Sequence, residues 1–413
     1  MAIKRAILHL GMPKAGSTSI QNTLFYNAAI LEKYGFRYLT ERGKSHHMLK
    51  HIFQPHCSFD PETTILHHRS FPNFEKNKEH FIKEMLHIVK NTDCETLILS
   101  REFGRVICDS TVKNIKNFIK NCFQTNGIET TIVYLVRNPL TWMISRAQQS
   151  LFQSGFVSED CNYFEVLIKI FENIFVLQKN FSDSLILLKF EDICLDKDGL
   201  VGCFLKAIDF PQNALENIKT YRANESRCLE VMEFISFLEA IEPLYPHSDM
   251  RFYSSNRFPG DVDPLKNIKG VKFDLPYQSK VELWNRLDKT VHLLKENTGI
   301  DYTDYTPSLP AEAAEEIYNE ETIQEFIEAF PKLSFFLQKA FCTFFRKKYM
   351  ETIQDRFKQL FFKGSIPWKL FYSKNAFLCL LGMRLKYKLR YLKTEIRNMS
   401  PKGIKKTLFK RKK

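Results

Sequence analysis

The sequence predicts an α/β fold: a central parallel sheet flanked by helices, with a basic helical extension at the C-terminal end. Three observations carry this. Short apolar runs without polar alternation recur at Ile7–Leu10, Thr96–Leu99, Thr130–Val136 and Leu185–Phe190, the pattern of strands buried on both faces. Helical periodicity fills the intervals, and strands alternating with helices build parallel sheets. The first run also ends in a glycine loop that passes directly into a helix start, Gly11-Met-Pro-Lys14-Ala-Gly16-Ser-Thr-Ser19.

Taken in order, Ile20 and Leu24 sit four apart after that loop, giving the first helix one apolar face. Tyr34–Leu39 reads as a second strand, followed by a polar turn with Ser45-His46-His47-Met48. Residues 51–75, rich in His, Phe and Pro, read as an irregular insertion, and a helix covers 74–90. The strand at 96–99 ends in Ser100-Arg101-Glu102-Phe103, and a helix follows over 111–123. Residues 130–136 are β-branched and aromatic throughout, and they run into Arg137-Asn138-Pro139 and a helix through Trp142, Ser145 and Gln149. The strand at 185–190 carries Glu191-Asp192 at its end, where they read as caps for the following helix, which runs from Asp198. Asn224 and Ser226 read either as nucleotide contacts or as a helix cap.

A chain of 413 residues at roughly 100–200 residues per domain holds two or three domains, or one large domain with an appendage. The predicted divisions are 1–305, a linker with an acidic helix at 306–330, and a basic aromatic helical tail at 331–413. Of the 60 basic and 47 acidic residues, 23 and 3 fall in 331–413, leaving 37 and 44 in the rest. The main body is mildly acidic and the excess basicity belongs to the tail. Ile7–Leu10 is too short for a secretory apolar region, and no stretch approaches the ~20 apolar residues of a spanning helix. Ten cysteines show no Cys-x-x-Cys spacing, so reduced thiols in the cytoplasm are expected, without a metal site.

In open parallel sheets ligands bind outside the carboxyl ends of the strands. That places the loop at 11–17, Ser100–Glu102, Arg137 and Glu191 in one crevice. The loop suits an anion: backbone N–H groups and the positive end of the helix dipole face it, and Lys14 adds charge. It differs from the nucleotide-binding P-loop, in which lysine directly follows the second glycine; here Ser17 holds that position and Lys14 lies inside the loop. Arg137 and Ser145, eight residues apart, can converge on a terminal phosphate as guanidinium and hydroxyl.

Together these segments resemble the motifs of sulfotransferases that use 3′-phosphoadenosine 5′-phosphosulfate (PAPS). The loop is similar to their 5′-phosphosulfate loop, and Val-Tyr-Leu-Val-Arg137-Asn-Pro-Leu-Thr-Trp-Met-Ile-Ser145 to their 3′-phosphate motif. Leu-Lys-Phe-Glu-Asp192, Tyr-Arg222-Ala-Asn-Glu-Ser226 and a late helix before Thr-Gly-Ile-Asp301 extend the likeness over about residues 3–305. It is best to the bacterial-type enzymes that modify carbohydrates; the Arg-Lys-Gly segment of the cytosolic small-molecule branch is missing. The resemblance implies a P-loop-like three-layer fold. It implies transfer of a sulfuryl group from PAPS to a hydroxyl of a surface glycan or glycolipid, leaving adenosine 3′,5′-bisphosphate, with no metal. Lys14 would stabilise the leaving group. Pro13, Lys14, Ala15, Gly16, Ser17, Thr18 and Ser19 would hold the 5′-phosphate, and Arg137, Ser145 and Arg222 the rest of the nucleotide. The base that takes the acceptor proton would be Glu102, with His46 or His47 competing. A P-loop kinase and a non-catalytic binding module of the same fold are the alternatives.

Acceptor contacts are expected from the loops at 40–75, 150–165 and 245–275. In the tail, Ile353, Phe357, Leu360 and Phe361 form an amphipathic stripe before a polybasic end at Lys402–Lys413. Three readings are open for it: an anionic membrane at the inner face, a biosynthetic partner protein, or packing on the core. Nucleic acid is not expected, because the main body contains no recognised reader.

Overall fold

The central strand, β1 (Arg5–Gly11), is the most deeply buried in the sheet, and its neighbours explain why. β2 (Phe36–Tyr38), β3 (Thr96–Glu102), β4 (Glu129–Val136) and β5 (Leu185–Lys189) join it in one parallel sheet of order β2-β3-β1-β4-β5. From Ala6 to Gly11 every residue of β1 is buried, as are the last five of β4. Successive side chains point to opposite faces, so both faces of the sheet are covered. The computed structural model describes residues 3–39, 49, 52–53, 74–102, 107–154, 163–223, 226–244, 254, 256–308 and 319–349. His46 and His47, Asn224, most of the predicted acceptor loops and the tail beyond 349 lie outside the described residues.

The helices in chain order are α1 (Ser17–Tyr26), α2 (Ala28–Lys33), α3 (Phe74–Asn91), α4 (Asp109–Cys122), α5 (Pro139–Ser154) and α6 (Tyr163–Phe181). They continue with α7 (Phe190–Leu195), α8 (Gly199–Ala207), α9 (Leu229–Ile241), α10 (Tyr277–Thr298), α11 (Glu320–Ala329) and α12 (Phe335–Tyr349). The parallel register sets Gly11 opposite Glu102, so the carboxyl ends of β1 and β3 finish side by side. One element differs from expectation. Phe190 and Glu191 open helix α7 instead of ending β5. Residues 163–181 form a 19-residue helix whose Leu167, Ile170, Phe171, Ile174 and Leu177 are buried, at helical spacing along one face.

The contacts divide the chain into two compact units. The first takes Met1–Arg146, Asp160–Glu225 and Leu275–Leu309, and the second takes Ala147–Glu159, Ser226–Asp274 and Pro310–Lys413. The first unit contains the sheet and its core. The second has its own core, in which α9, α11 and α12 bring together Phe234, Phe326, Phe330, Phe341 and Phe345. Arg257 is buried there, pairing with Asp261 at 2.6 Å and Glu239 at 2.8 Å. These lines differ from a contiguous 1–305 domain followed by linker and tail. Leu337, Phe341 and Phe345, four apart on α12, give the first turns after 331 an apolar face that is buried with α9. Among the described residues no helix is long and apolar enough to cross a membrane.

Candidate active site

The loop after β1 is shaped by two left-handed residues, Lys14 at φ 64° and Gly16 at φ 79°. At Gly16 the chain turns into α1, and the amides of Ser19 and Ile20 bond back to its carbonyl at 2.9 and 3.2 Å. No side chain caps the helix and no acidic residue lies in its first turn. The leading N–H groups and the helix dipole are thus presented to an anion. Ala15 and Ser17 are buried, and the Ser17 hydroxyl has no hydrogen-bond partner among the described residues. Gly11 makes room for it: a Cβ there would sit 2.0 Å from Ser17 Oγ. An uncapped helix start, a left-handed turn and an unpartnered buried donor fit a phosphate or phosphosulfate group.

The second motif is bonded directly to this loop. Arg137, just past β4, donates through Nη1 to the Lys14 carbonyl at 2.5 Å and through Nε to Thr141 Oγ1 at 3.1 Å. Its guanidinium lies 5.0 Å from the centre of the Phe190 ring. Trp142 donates its indole N–H to the Pro13 carbonyl at 2.8 Å. Arg137 and Trp142 thus tie the segment after β4 to the loop after β1. Ser145 is half-buried and lies one turn along α5 from Thr141, on the same helical face.

Three polar side chains of the α1 region, Ser19, Thr23 and Asn27, are spaced four apart and bind the backbone of 219–223. Ala223 N–H donates to Ser19 Oγ at 3.0 Å, Tyr221 N–H to Thr23 Oγ1 at 3.0 Å, and Lys219 N–H to Asn27 Oδ1 at 3.0 Å. Ser19, expected in the phosphate cradle, is bonded to the segment that carries Arg222. Arg222 is exposed, and it and Arg137 both lie within electrostatic reach of the Cys194 thiol.

Glu191 does not cap its own helix. Its carboxylate accepts the Asn138 amide at 3.0 Å, the Thr141 hydroxyl at 2.9 Å and the Tyr302 hydroxyl at 2.7 Å. Asn138 is the cap of α5, its Oδ1 accepting the amides of Leu140 and Thr141 at 2.9 and 3.2 Å. Glu191 is thus a strut beneath Arg137. Ser226 caps nothing either: α9 starts at Leu229 with Cys228 as its N-cap residue and no side-chain bond.

Glu102 ends β3 beside Gly11. Burial raises its carboxyl above the ordinary range, opposed by the positive charges of Arg101, Lys14 and Arg146. Lys14 and Glu102 are therefore close enough to interact, and a carboxylate of raised pKa is a stronger base. His46 and His47 lie outside the described residues. Among the described residues no group of His, Cys, Asp and Glu could hold a metal ion.

Motif reading did not single out Thr141, Phe190 and Tyr302, which hold Arg137 or its strut. Only the Ser19-Thr23-Asn27 spacing offered a signal for the α1 contacts. Compared with known proteins, the sequence matches no family model and no curated protein. Among solved structures, the chain is similar to a retinol dehydratase in complex with androsterone and inactive cofactor PAP, at 14% identity and a TM-score of 0.31. That alignment covers 73% of this chain and 83% of the other. A likeness of that size adds nothing to what the loop geometry supports.

Proposed function

We propose that the protein transfers a sulfuryl group from PAPS to a hydroxyl of a carbohydrate acceptor. The observation that carries this reading is the bond between Arg137 and the Lys14 carbonyl. It joins the two motifs that resemble the phosphosulfate loop and the 3′-phosphate site. Bound PAPS supplies an activated sulfuryl group. The amides of Ser17 and Thr18 and the Ser17 hydroxyl hold the 5′-phosphate, and Arg137, Ser145 and Arg222 hold the 3′-phosphate end. In the transfer step the acceptor oxygen bonds to sulfur while the sulfur–oxygen bond to the 5′-phosphate breaks. Glu102 takes the acceptor proton and Lys14 stabilises the charge left on adenosine 3′,5′-bisphosphate, so catalysis is positioning plus electrostatics. The carbohydrate class rests on the likeness of the motifs to bacterial-type carbohydrate enzymes. The basic segment beyond 349 would hold the enzyme at an anionic inner membrane surface.

Calorimetry with adenosine 3′,5′-bisphosphate in the absence of metal, set beside ATP with Mg²⁺, tests the reading. Micromolar binding of the bisphosphate without metal is expected. Preference for ATP with Mg²⁺ favours a kinase, and no binding of either favours a non-catalytic module. Labelled PAPS incubated with cell-envelope glycans then tests the acceptor class; a labelled glycan is expected.

A further inference from the structure

The acceptor side of the site is strongly positive. Three cations lie within electrostatic reach of the Glu102 carboxylate: Arg101 next to it on β3, Lys14 in the loop, and Arg146 on α5. Their places in the fold explain the convergence. Gly11 is the register partner of Glu102, so the loop holding Lys14 leaves the sheet beside that carboxylate. Trp142 donates to the Pro13 carbonyl at 2.8 Å, and Arg146 follows it one turn further along the same face of α5. The Tyr134 hydroxyl is buried, has no hydrogen-bond partner among the described residues, and also lies within electrostatic reach of Glu102. Burial pushes this phenol above its ordinary range, so it keeps its proton and stays neutral.

Over these groups three positive charges meet one carboxylate, a net of two positive. When Glu102 takes the acceptor proton its charge disappears and the net rises to three. Lys14 answers the charge left on the 5′-phosphate. The field of Arg101 and Arg146 acts on whatever else lies beside Glu102, and the acceptor must lie there to hand over its proton. A cleft of one sign concentrates ligands of the other.

We infer that the acceptor is acidic: the hydroxyl that receives the sulfuryl group belongs to a glycan carrying a carboxylate or a phosphate, which Arg146 holds beside Glu102. Arg146 is then a specificity-determining residue, and Arg101 adds to the field that draws the acid in. A guanidinium meets either anion with paired N–H donors. The inference rests on the sulfotransferase reading above.

The test begins with the wild-type full chain. Cell-envelope glycans are separated by anion exchange into neutral and acidic pools, and each is incubated with labelled PAPS. At least tenfold more label in the acidic pool is expected. Equal labelling, or label confined to the neutral pool, overturns the inference and leaves sulfuryl transfer standing; label in neither pool overturns the carbohydrate acceptor as well. Two treatments of the acidic pool then identify the anion. Amidation with carbodiimide and methylamine should cut labelling at least tenfold if the acid is a carboxylate. Cold aqueous hydrofluoric acid should do so if it is a phosphate, and labelling that survives both overturns the inference. Arg146→Gln should lower kcat/KM for the native acceptor about tenfold or more, as for a lost hydrogen bond to a charged group, chiefly through KM. Arg146→Lys, which keeps the charge, should lose less. The ratio of kcat/KM between the native and the neutralised acceptor should fall about tenfold in Arg146→Gln. An unchanged ratio, with kcat lowered alike on both, assigns Arg146 to the sulfuryl group and overturns the inference.

Discussion

Replacing Gly16 by alanine tests the loop on which the site depends. Gly16 sits at φ 79° and ψ 6°, a left-handed conformation that costs a residue with a Cβ about 1–2 kcal/mol. The added Cβ would also lie 2.3 Å from Leu200 Cδ2 and 3.3 Å from Phe190 Cε2. Overpacking of this kind costs roughly 1–3 kcal/mol; Leu200 can swing its methyl away, which puts the steric part near the lower end. The expected loss is therefore about 2–4 kcal/mol. Urea unfolding reads it as a lower midpoint at unchanged slope. Leu200→Ala removes the clash but not the backbone cost. A double-mutant cycle should thus return about 1 kcal/mol of favourable coupling. A Gly16→Ala variant within ~0.5 kcal/mol of wild type, the range of an ordinary surface substitution, would refute the left-handed turn. The presentation of the leading α1 amides would fall with it.

Other perturbations separate the roles assigned above. Lys14→Ala should abolish transfer, and Arg137→Ala should chiefly weaken bisphosphate affinity, by roughly 10- to 150-fold for a lost charged hydrogen bond; full activity in the Lys14 variant contradicts the mechanism. Glu102→Gln should cut the rate about 10²- to 10⁴-fold as the loss of a general base. Because burial raises the Glu102 pKa, the folded state keeps the proton longer than the unfolded chain. Stability therefore falls as pH rises from the ordinary carboxylate range to the raised value. Chemical denaturation across that window should show Glu102→Gln gaining on wild type as pH rises; a constant difference would remove the raised carboxyl. Phe341 is fully buried, its ring 4.4 Å from that of Phe345 and 5.6 Å from that of Phe234. Phe341→Ala should cost about 3–5 kcal/mol in unfolding experiments, and less than ~1 kcal/mol would argue against the second core.

The sheet was legible because its strands are apolar runs buried on both faces, and such runs need no partner to be recognised. The strand ends were legible for the same reason: Gly11, Glu102 and Arg137 follow directly on those runs, and the parallel register gathers them at one edge. Residues that act through distant backbone were not. Tyr302 reaches Glu191 across 111 positions, and nothing local marks either as the support of Arg137. The second core was obscured by composition, since α12 begins inside a segment whose overall character is basic, and net charge says nothing of which helical face is apolar.

The order in which the chain is made gives the second unit a particular vulnerability. Its helix α9 ends at Ile241, but α11 and α12, which complete the core around Phe234, begin only at Glu320 and Phe335. On the ribosome the apolar face of α9 must wait for roughly a hundred further residues, several seconds at typical synthesis rates. Any truncation at 331 removes α12 and leaves the part of that face which α12 covers exposed for good. A shortened protein of this kind would report on aggregation, whereas one cut after Tyr349 keeps the described residues of the second core and removes the basic segment.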